Sequence, residues 1–194
     1  YRLNALAMQQ FVNSTSESSV MTLHLGNLNW TLQLQPNEIL APGYFVQVLT
    51  ENGIQKYTRT ENIAFKGFET TGGGKVRLTL DKDFINGFVE HGGERYYIEP
   101  LWHHQQDLPR DLFLVYPVSA VIKDHDHGSC TVLTSEEDKS HLFEQAKEKG
   151  DSPEFAGCYE IEIAIASDKS MHTKYGSVGA VEAHNIAVLN NVQN

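Results

Sequence analysis

Cysteine and basic residues are scarce in this sequence, and long apolar runs are missing. Two cysteines among 194 residues are too few for a disulfide scaffold or a four-thiolate zinc site. No apolar run approaches the ~18 residues of a transmembrane helix, so we expect no membrane span. Lysine and arginine total 15 against 25 acidic residues, which gives a net charge of −10 at pH 7. This balance argues against nucleic acid as a partner.

Aromatic and aliphatic residues, in contrast, are plentiful. Hydrophobic residues make up 40% of the chain and include nine Phe, eight Tyr and two Trp. Such a composition predicts a folded core, because disordered segments are poor in these residues. The length is enough for one complete domain and part of another.

Alternating apolar and polar residues, interrupted by turn signals, run from residue 20 to residue 122. Dipeptides typical of hairpin turns stand at Gly26-Asn27, Asn52-Gly53 and Gly92-Gly93. About eight short strands fit between the turns. We therefore predict a mainly β unit with an antiparallel sandwich or barrel-like fold. The preceding stretch from Ala5 to Val12 fits either a short helix or a strand.

The pattern changes near the end of the chain. Ile161, Ile163 and Ile165 alternate with small or acidic residues, which predicts a strand. From residue 178 to residue 192 the spacing is helical. The predicted buried face of this helix consists of Val178, Val181, Asn185, Val188, Leu189 and Val192. A strand followed by a long helix is typical of the start of an α/β layer.

Two stretches resemble reprolysin-like (adamalysin or ADAM-type) zinc metalloproteases of the metzincin group. The first strand of their catalytic domain is similar to Ile161-Glu162-Ile163, Asp168, Met171 and Lys174-Tyr175. A hairpin of their pro-peptide is similar to the segment with Gly87 and Tyr96-Tyr97-Ile98-Glu99-Pro100-Leu101. The two matches stand in the order that a zymogen requires. The run from Ala187 to Gln193 looks more like bacterial members than animal ones.

The resemblance implies a two-part organisation. Residues 1–150 would be a β-rich pro-domain with a latency segment around residues 123–135 and a linker helix at residues 136–149. Residues 151–194 would be the truncated start, one strand and one helix, of an α/β metzincin domain. The parent protein would be a secreted or extracytoplasmic zymogen. Its own or a cognate protease catalytic domain would be the partner.

The zinc-binding motif of that family is not in this sequence. Metzincins use His-Glu-x-x-His-x-x-Gly-x-x-His, with a glutamate general base between two ligands one helical turn apart. Neither His103-His104 nor His184 fits this spacing. The chain as given is therefore not catalytically competent, and zinc would bind the missing part of the parent. The implied function is inhibition and assisted folding of a zinc endopeptidase.

Cys130 is the candidate latency residue. A thiolate can occupy the zinc position that the catalytic water otherwise holds, and pro-segment cysteines of related proteases do so. Thr131 follows Cys130 where the family usually has glycine. A free cysteine, or a disulfide between Cys130 and Cys158, is the alternative.

Two further groups of residues could bind metal ions. His125 and His127 alternate with Asp124 and Asp126, which fits a metal-binding cluster or, as we favour, a solvated loop. Glu162 matches the strand glutamate that helps to bind calcium in some family members. The C-terminal partners of that calcium site are not in the sequence, so a structural carboxylate is the alternative.

A different interpretation treats the C-terminal resemblance as accidental. The chain would then be a secreted, non-enzymatic β-sandwich binding module for a protein or a glycan, or a structural surface protein. The binding-module interpretation predicts one closed unit in which the last helix packs on the β-structure.

Overall fold

The computed structural model describes residues 1–15, 17–122 and 163–193. The described residues 1–121 and 164–193 form one compact unit. The unit is mainly β, as predicted, and its main sheet is antiparallel and curls into half a barrel. No helix among the described residues is long and apolar enough to cross a membrane.

Seven strands form the main sheet, and two more form a separate hairpin. The strands are β1 (Ser19–Leu25), β2 (Leu28–Pro36), β3 (Val46–Thr50), β4 (Gly53–Tyr57), β5 (Ala64–Glu69), β6 (Gly74–Asp81), β7 (Phe84–His91), β8 (Glu94–Pro100) and β9 (Phe113–Pro117). The order across the main sheet is β1-β2-β5-β6-β7-β8-β9, and β3 pairs with β4. Each of the three predicted turns joins two antiparallel strands, so the predicted hairpins are confirmed.

The described part of the chain contains three α-helices: α1 (Ala5–Asn13), α2 (Lys169–Tyr175) and α3 (Val178–Val192). Asn4 caps α1, since its side-chain oxygen accepts a hydrogen bond from the Ala7 N–H at 3.0 Å. Gly176 separates α2 from α3 with a φ of +86°, a conformation that favours glycine. The first stretch is thus a helix, and the predicted bounds of the last helix are confirmed.

The helix α1 packs on one face of the main sheet, over the larger hydrophobic core. Strand alternation sends every second side chain to this face. Its buried apolar side chains include Leu25, Trp30, Leu32, Leu34, Phe65, Val76, Leu78, Leu80, Ile85, Val89 and Ile98, with Ala5 and Val12 from α1. We refer to this side of the sheet as the α1 face. It buries most of the large apolar side chains, so it supplies most of the hydrophobic stabilisation.

The helix α3 packs on the opposite face of the sheet, against β5, β6 and β7. In β6, Leu78 and Leu80 lie in the core under α1, whereas Thr79 hydrogen bonds to α3. The apolar contacts on this side form a smaller cluster made of Ile63, Ala64, Phe84, Trp102, Tyr175, Ala183, Ile186 and Ala187. We refer to this side as the α3 face.

The predicted buried face of α3 is wrong. The buried residues are Ala183, Ile186, Ala187 and Asn190, on nearly the opposite side of the helix. Val188, from the predicted face, is 47% exposed. Small alanine side chains let the helix backbone approach the sheet closely, and Asn190 finds hydrogen-bond acceptors there. Close contact and polar pairing outweigh the larger apolar area of valine.

The structure describes residues 163–166 of the strand predicted at residues 161–166, and these residues do not form a strand. Residues 163–168 have no regular secondary structure, and Ile163 and Ile165 are exposed. A strand is stable when a neighbour pairs with its backbone, and no described strand pairs with this segment. Ile161 and Glu162 lie outside the described residues.

Gly87, a residue of the pro-peptide-like hairpin, has a structural role in the centre of the sheet. Its φ is +153°, and a Cβ at this position would lie 2.0 Å from the carbonyl oxygen of Arg77. Only glycine permits this approach of β7 to β6. The motif residue thus allows the sheet to curl here.

Candidate functional site

The four site residues predicted from the sequence lie outside the part of the chain that the structure describes. They are Cys130, His125, His127 and Glu162. The linker helix predicted at residues 136–149 lies outside it too. Among the described residues, no group of three or more His, Cys, Asp or Glu side chains could hold a metal ion. The candidate site therefore comes from what the described residues bring together, which is the contact of α2 and α3 with the sheet.

Asn190 is the central polar residue of the α3 face, and it is fully buried. Its side-chain NH₂ donates to the Leu78 carbonyl at 3.1 Å, to Thr79 Oγ1 at 3.2 Å and to the Phe65 carbonyl at 3.4 Å. These acceptors belong to β5 and β6, more than 100 positions away in the sequence. A buried amide satisfied in this way fixes one position of the helix on the sheet, because sliding would leave it unpaired.

Asn37 completes the network from the sheet side. Its side-chain NH₂ donates to Asn190 Oδ1 at 2.9 Å and to Gln193 Oε1 at 2.7 Å. Its backbone N–H donates to the Ala64 carbonyl at 2.9 Å, so the residue is held independently of α3. Asn37 therefore presents a preformed pair of donors to the end of the helix.

Arg59 provides an ion pair at the other end of α3. Its guanidinium lies 3.0 Å from Asp81 Oδ2 and 3.0 Å from Glu182 Oε2. All three side chains are less than one-fifth exposed, so water screens these charges weakly. Burial and the charge of Glu182 raise the pKa of the nearby Tyr44 to about 12. Arg59 thus links the sheet to α3 with a partly buried charge.

An aromatic cluster joins α2 and α3 to the short 3-10 turn Leu101–His103. Its members are Trp102, His103, Tyr175 and His184. The Trp102 and His103 rings meet edge to face with centroids 4.3 Å apart. Tyr175 stacks on His184 at 4.5 Å, and its hydroxyl lies 3.3 Å from His184 Nε2.

Both histidines of this cluster resist protonation. Burial, followed by the neighbouring charges of His184 and Lys174, lowers the pKa of His103 to about 3. Burial and Lys174 also lower the pKa of His184. Both imidazoles are therefore neutral at neutral pH, which fits their apolar surroundings.

Glu69 forms a separate buried carboxylate at the turn between β5 and β6. It accepts hydrogen bonds from the Thr71 and Gly72 backbone and lies 2.9 Å from His91 Nδ1. Burial alone would raise the pKa of Glu69, but bonds from Thr71, His91 and Gly72 hold it at about 2. With its oxygens satisfied by the turn, by His91 and by the Thr31 N–H, this group has a structural role.

Aromatic side chains also line the part of the sheet beyond α3. Phe88, Tyr97 and Tyr116 stand directly opposite one another on β7, β8 and β9. Their ring centroids are 6.4 Å and 5.9 Å apart, and the Arg95 guanidinium lies 4.2 Å from the Phe88 ring. Phe88 is buried, whereas Tyr97 and Tyr116 are partly exposed, so the two tyrosines can stack on sugar rings or on side chains of another protein.

Sequence reasoning missed the residues that make the α3 contact. Asn190, Asn37 and Arg59 stand alone in their stretches and form no motif. A weak signal exists for Asn190, because it shares one helix face with Ala183 and Ala187. A polar residue on a face of small side chains can mark the buried face.

Neither a model of a known protein family nor a curated protein matches the chain.

Proposed function

We propose that the chain is the inhibitory and folding-assisting pro-region of a secreted zinc-dependent endopeptidase, followed by the start of its catalytic domain. The two resemblances, in the order that a zymogen requires, carry this proposal, and one contact in the structure supports it. The segments that the resemblance assigns to the two sides of the zymogen boundary contact each other through a specific, buried polar interface. Residues 1–121 supply the sheet, and α2 and α3 are the parts that would belong to the enzyme.

The contact suits a pro-region that assists folding. Asn190 is satisfied only when α3 lies in one position over β5 and β6, and Arg59 pairs with Glu182 in the same position. The sheet would therefore act as a template that orients the first helices while the rest of the enzyme folds. Polar contacts also permit later release, since water can replace each hydrogen bond once the helices leave.

Latency would come from Cys130, whose thiolate is a suitable zinc ligand. The zinc ligands are not in this chain, because the His-Glu-x-x-His motif is missing from the sequence. No hydrolytic step is therefore assigned to its residues. Calcium at Glu162, secretion and the lack of a nucleic-acid partner stay predictions.

Inhibition tests the proposal. Residues 1–157 are titrated into the mature protease, and the same segment with Cys130→Ala is the matched variant. Inhibition by the wild type and its loss in Cys130→Ala would support a thiolate switch. Equal inhibition by both would support a pro-region that blocks the cleft sterically. No inhibition by either would refute the proposal.

The reading frame beyond residue 194 provides a simpler check. A metzincin-sized domain requires the zinc motif within about 150 residues of this point. A downstream frame without that motif would also refute the proposal.

The second candidate is a binding module for a protein or a glycan. Two observations favour it: α3 closes on the sheet within one compact unit, and the partly exposed Tyr97 and Tyr116 offer stacking surface. Tyr97→Ala should then weaken binding to a glycan or protein array by about tenfold, with Tyr57→Ala on the separate hairpin as the control. Equal binding by both variants would contradict this candidate.

A further inference from the structure

Two half-buried histidines lie on opposite sides of the contact between the helices and the sheet. His103 ends the 3-10 turn after β8, and His184 lies in the middle of α3. Tyr175 of α2 contacts both rings, with its ring centroid 4.9 Å from that of His103 and 4.5 Å from that of His184. The two imidazole centroids are 5.9 Å apart. We refer to His103 and His184 as the histidine pair.

The surroundings of the histidine pair do not stabilise a positive charge on either ring. His103 Nε2 and His184 Nδ1 are buried and have no hydrogen-bond partner among the residues that the structure describes. The Tyr175 hydroxyl, 3.3 Å from His184 Nε2, is a neutral partner. A proton on either ring would therefore create a partly buried charge without a contacting carboxylate.

The charged groups around the pair increase this cost. Lys174 of α2 faces both rings, and His104 and Arg110 face His103 from the sheet side. Glu99 of β8 is the acid on this side, and it pairs with His104 Nε2 at 3.0 Å. Protonation of the pair would thus add positive charge to a region that already contains Lys174 and Arg110.

We propose that the histidine pair makes the contact acid-sensitive, so that mildly acidic pH releases α2 and α3 from the α3 face while the sheet stays folded. The pair spans the contact, one imidazole on each side, so separation of the helices exposes both rings to water. Protonated rings are then hydrated and move apart. The α1 face has no role in this step, which is why the sheet persists.

The direction of the pH effect follows from linkage. In the released state an exposed histidine has a pKa near 6.5, whereas His103 in the docked state has a pKa of about 3. The docked state binds fewer protons, so the contact is most stable above pH 6.5 and loses stability as the pH falls below it. At about pH 5, His103 alone would raise the equilibrium constant for release about 25-fold relative to about pH 7.

For a zymogen, the acid response would have a further consequence, which rests on the proposed function. Acid would loosen the pro-region from the start of the enzyme, and neutral pH would keep the two together. The zymogen would then be more open to processing in an acidic compartment than in a neutral one.

Hydrogen–deuterium exchange of the 194-residue chain tests the inference. Exchange in α3 and in β6 is measured at about pH 7.5 and about pH 5 and corrected for the intrinsic rate at each pH. Protection of α3 should fall at least about tenfold more than protection of β6. Equal protection of α3 at both pH values would overturn the inference.

Variants separate the pair from other titrating groups. Phenylalanine keeps the ring contacts but cannot be protonated, so His103→Phe/His184→Phe should keep α3 protected at about pH 5. His24→Gln, at an exposed histidine bonded to Asn29, is the matched control. This variant should lose α3 protection at about pH 5 as the wild type does. Each single variant should show a smaller acid-induced loss of α3 protection than the wild type. The single variants therefore provide a second measurement if the double variant packs poorly. A double variant that loses α3 protection as the wild type does would contradict the inference.

The test does not need a protease. A chain that inhibits its protease but shows no pH-dependent loss at α3 would refute the acid response alone. A chain that shows the loss but does not inhibit would refute the proposed function alone.

Discussion

The two faces of the main sheet are held together by different physical means. The α1 face buries large apolar side chains, such as Trp30 and Leu78, without solvent exposure. The α3 face has a smaller apolar cluster, to which α3 contributes mainly alanines, Ala183 and Ala187, and the helix places the buried amide of Asn190 beside them. One face is a hydrophobic core, whereas the other resembles an interface.

The difference indicates what each face can do. Hydrophobic contact is strong and non-directional, so the α1 face stabilises the unit without fixing fine details of position. Hydrogen bonds and ion pairs are directional, and their net contribution is modest, so the α3 face specifies one position that a change in charge can disrupt. A pro-region that orients an enzyme and later releases it requires the second kind of surface.

Leu78→Ala should disrupt the α1 face and with it the whole unit. The side chain is fully buried in β6, and the resulting cavity should lower the free energy of unfolding by about 3 kcal/mol. Chemical denaturation measures the loss, and β6 and α3 should lose exchange protection together. Val20→Ala, at an exposed position on β1, should change stability by less than about 0.5 kcal/mol. A loss confined to α3 would show that the two faces are not distinct.

Asn190→Ala should act on the α3 face alone. The variant leaves the acceptors on Leu78 and Thr79 without their donor, at a cost of about 2 kcal/mol to the docking of α3. Exchange in α3 should accelerate while β6 stays protected. The control is Asn185→Ala, whose exposed bond to Ser167 Oγ should contribute little. Equal protection of α3 in both variants would argue against the polar network.

Glu182→Gln should have a smaller effect of the same kind. Arg59 keeps Asp81 as a partner, so the loss to α3 docking should be about 1 kcal/mol. Added salt should reduce the difference between wild type and variant, because it screens the ion pair. Exchange in α3 across a salt series measures both effects, with Glu61→Gln at an exposed position as the control. A salt-independent difference would point to packing instead of charge.

Acid should separate the two faces without any substitution. The α3 contact should weaken first, as the pH falls below 6.5 and the histidine pair binds protons. The stabilisation from Glu69, whose pKa is held at about 2 against an ordinary 4.5, is present above pH 4.5 and is lost as the pH falls towards 2. Exchange measured along a pH series should therefore show α3 opening before the turn between β5 and β6. Simultaneous opening would contradict this order.

Local signals predicted much of the fold. Turn dipeptides such as Gly92-Gly93 adopt positive φ angles, and their position in the sequence fixes the hairpins. The bounds of α3 follow from helical spacing between Ser177, which caps it, and Gln193. Such features depend on a few neighbouring residues, so the sequence alone reveals them.

The buried face of α3 and the candidate site depend on distant residues and were not predictable in this way. Valine is more hydrophobic than alanine, so a pattern based on hydrophobicity selects Val188 and Val192 over Ala183 and Ala187. Burial of Asn190 is favourable only because β5 and β6 present acceptors to it. No local pattern carries that information.

The claim that the α3 face holds the start of the enzyme is tested by a variant that removes two hydrogen-bond donors from the sheet side of the α3 contact. Asn37→Ala abolishes the bonds to Asn190 and Gln193 but keeps the backbone bond to Ala64, so the sheet should stay folded. The measurement is the inhibition constant of residues 1–157 for the mature protease, with Lys56→Ala on the separate hairpin as the control. We expect Asn37→Ala to weaken inhibition by about tenfold or more and Lys56→Ala to leave it unchanged. Undiminished inhibition by a folded Asn37→Ala variant would contradict the claim that the α3 face holds the start of the enzyme.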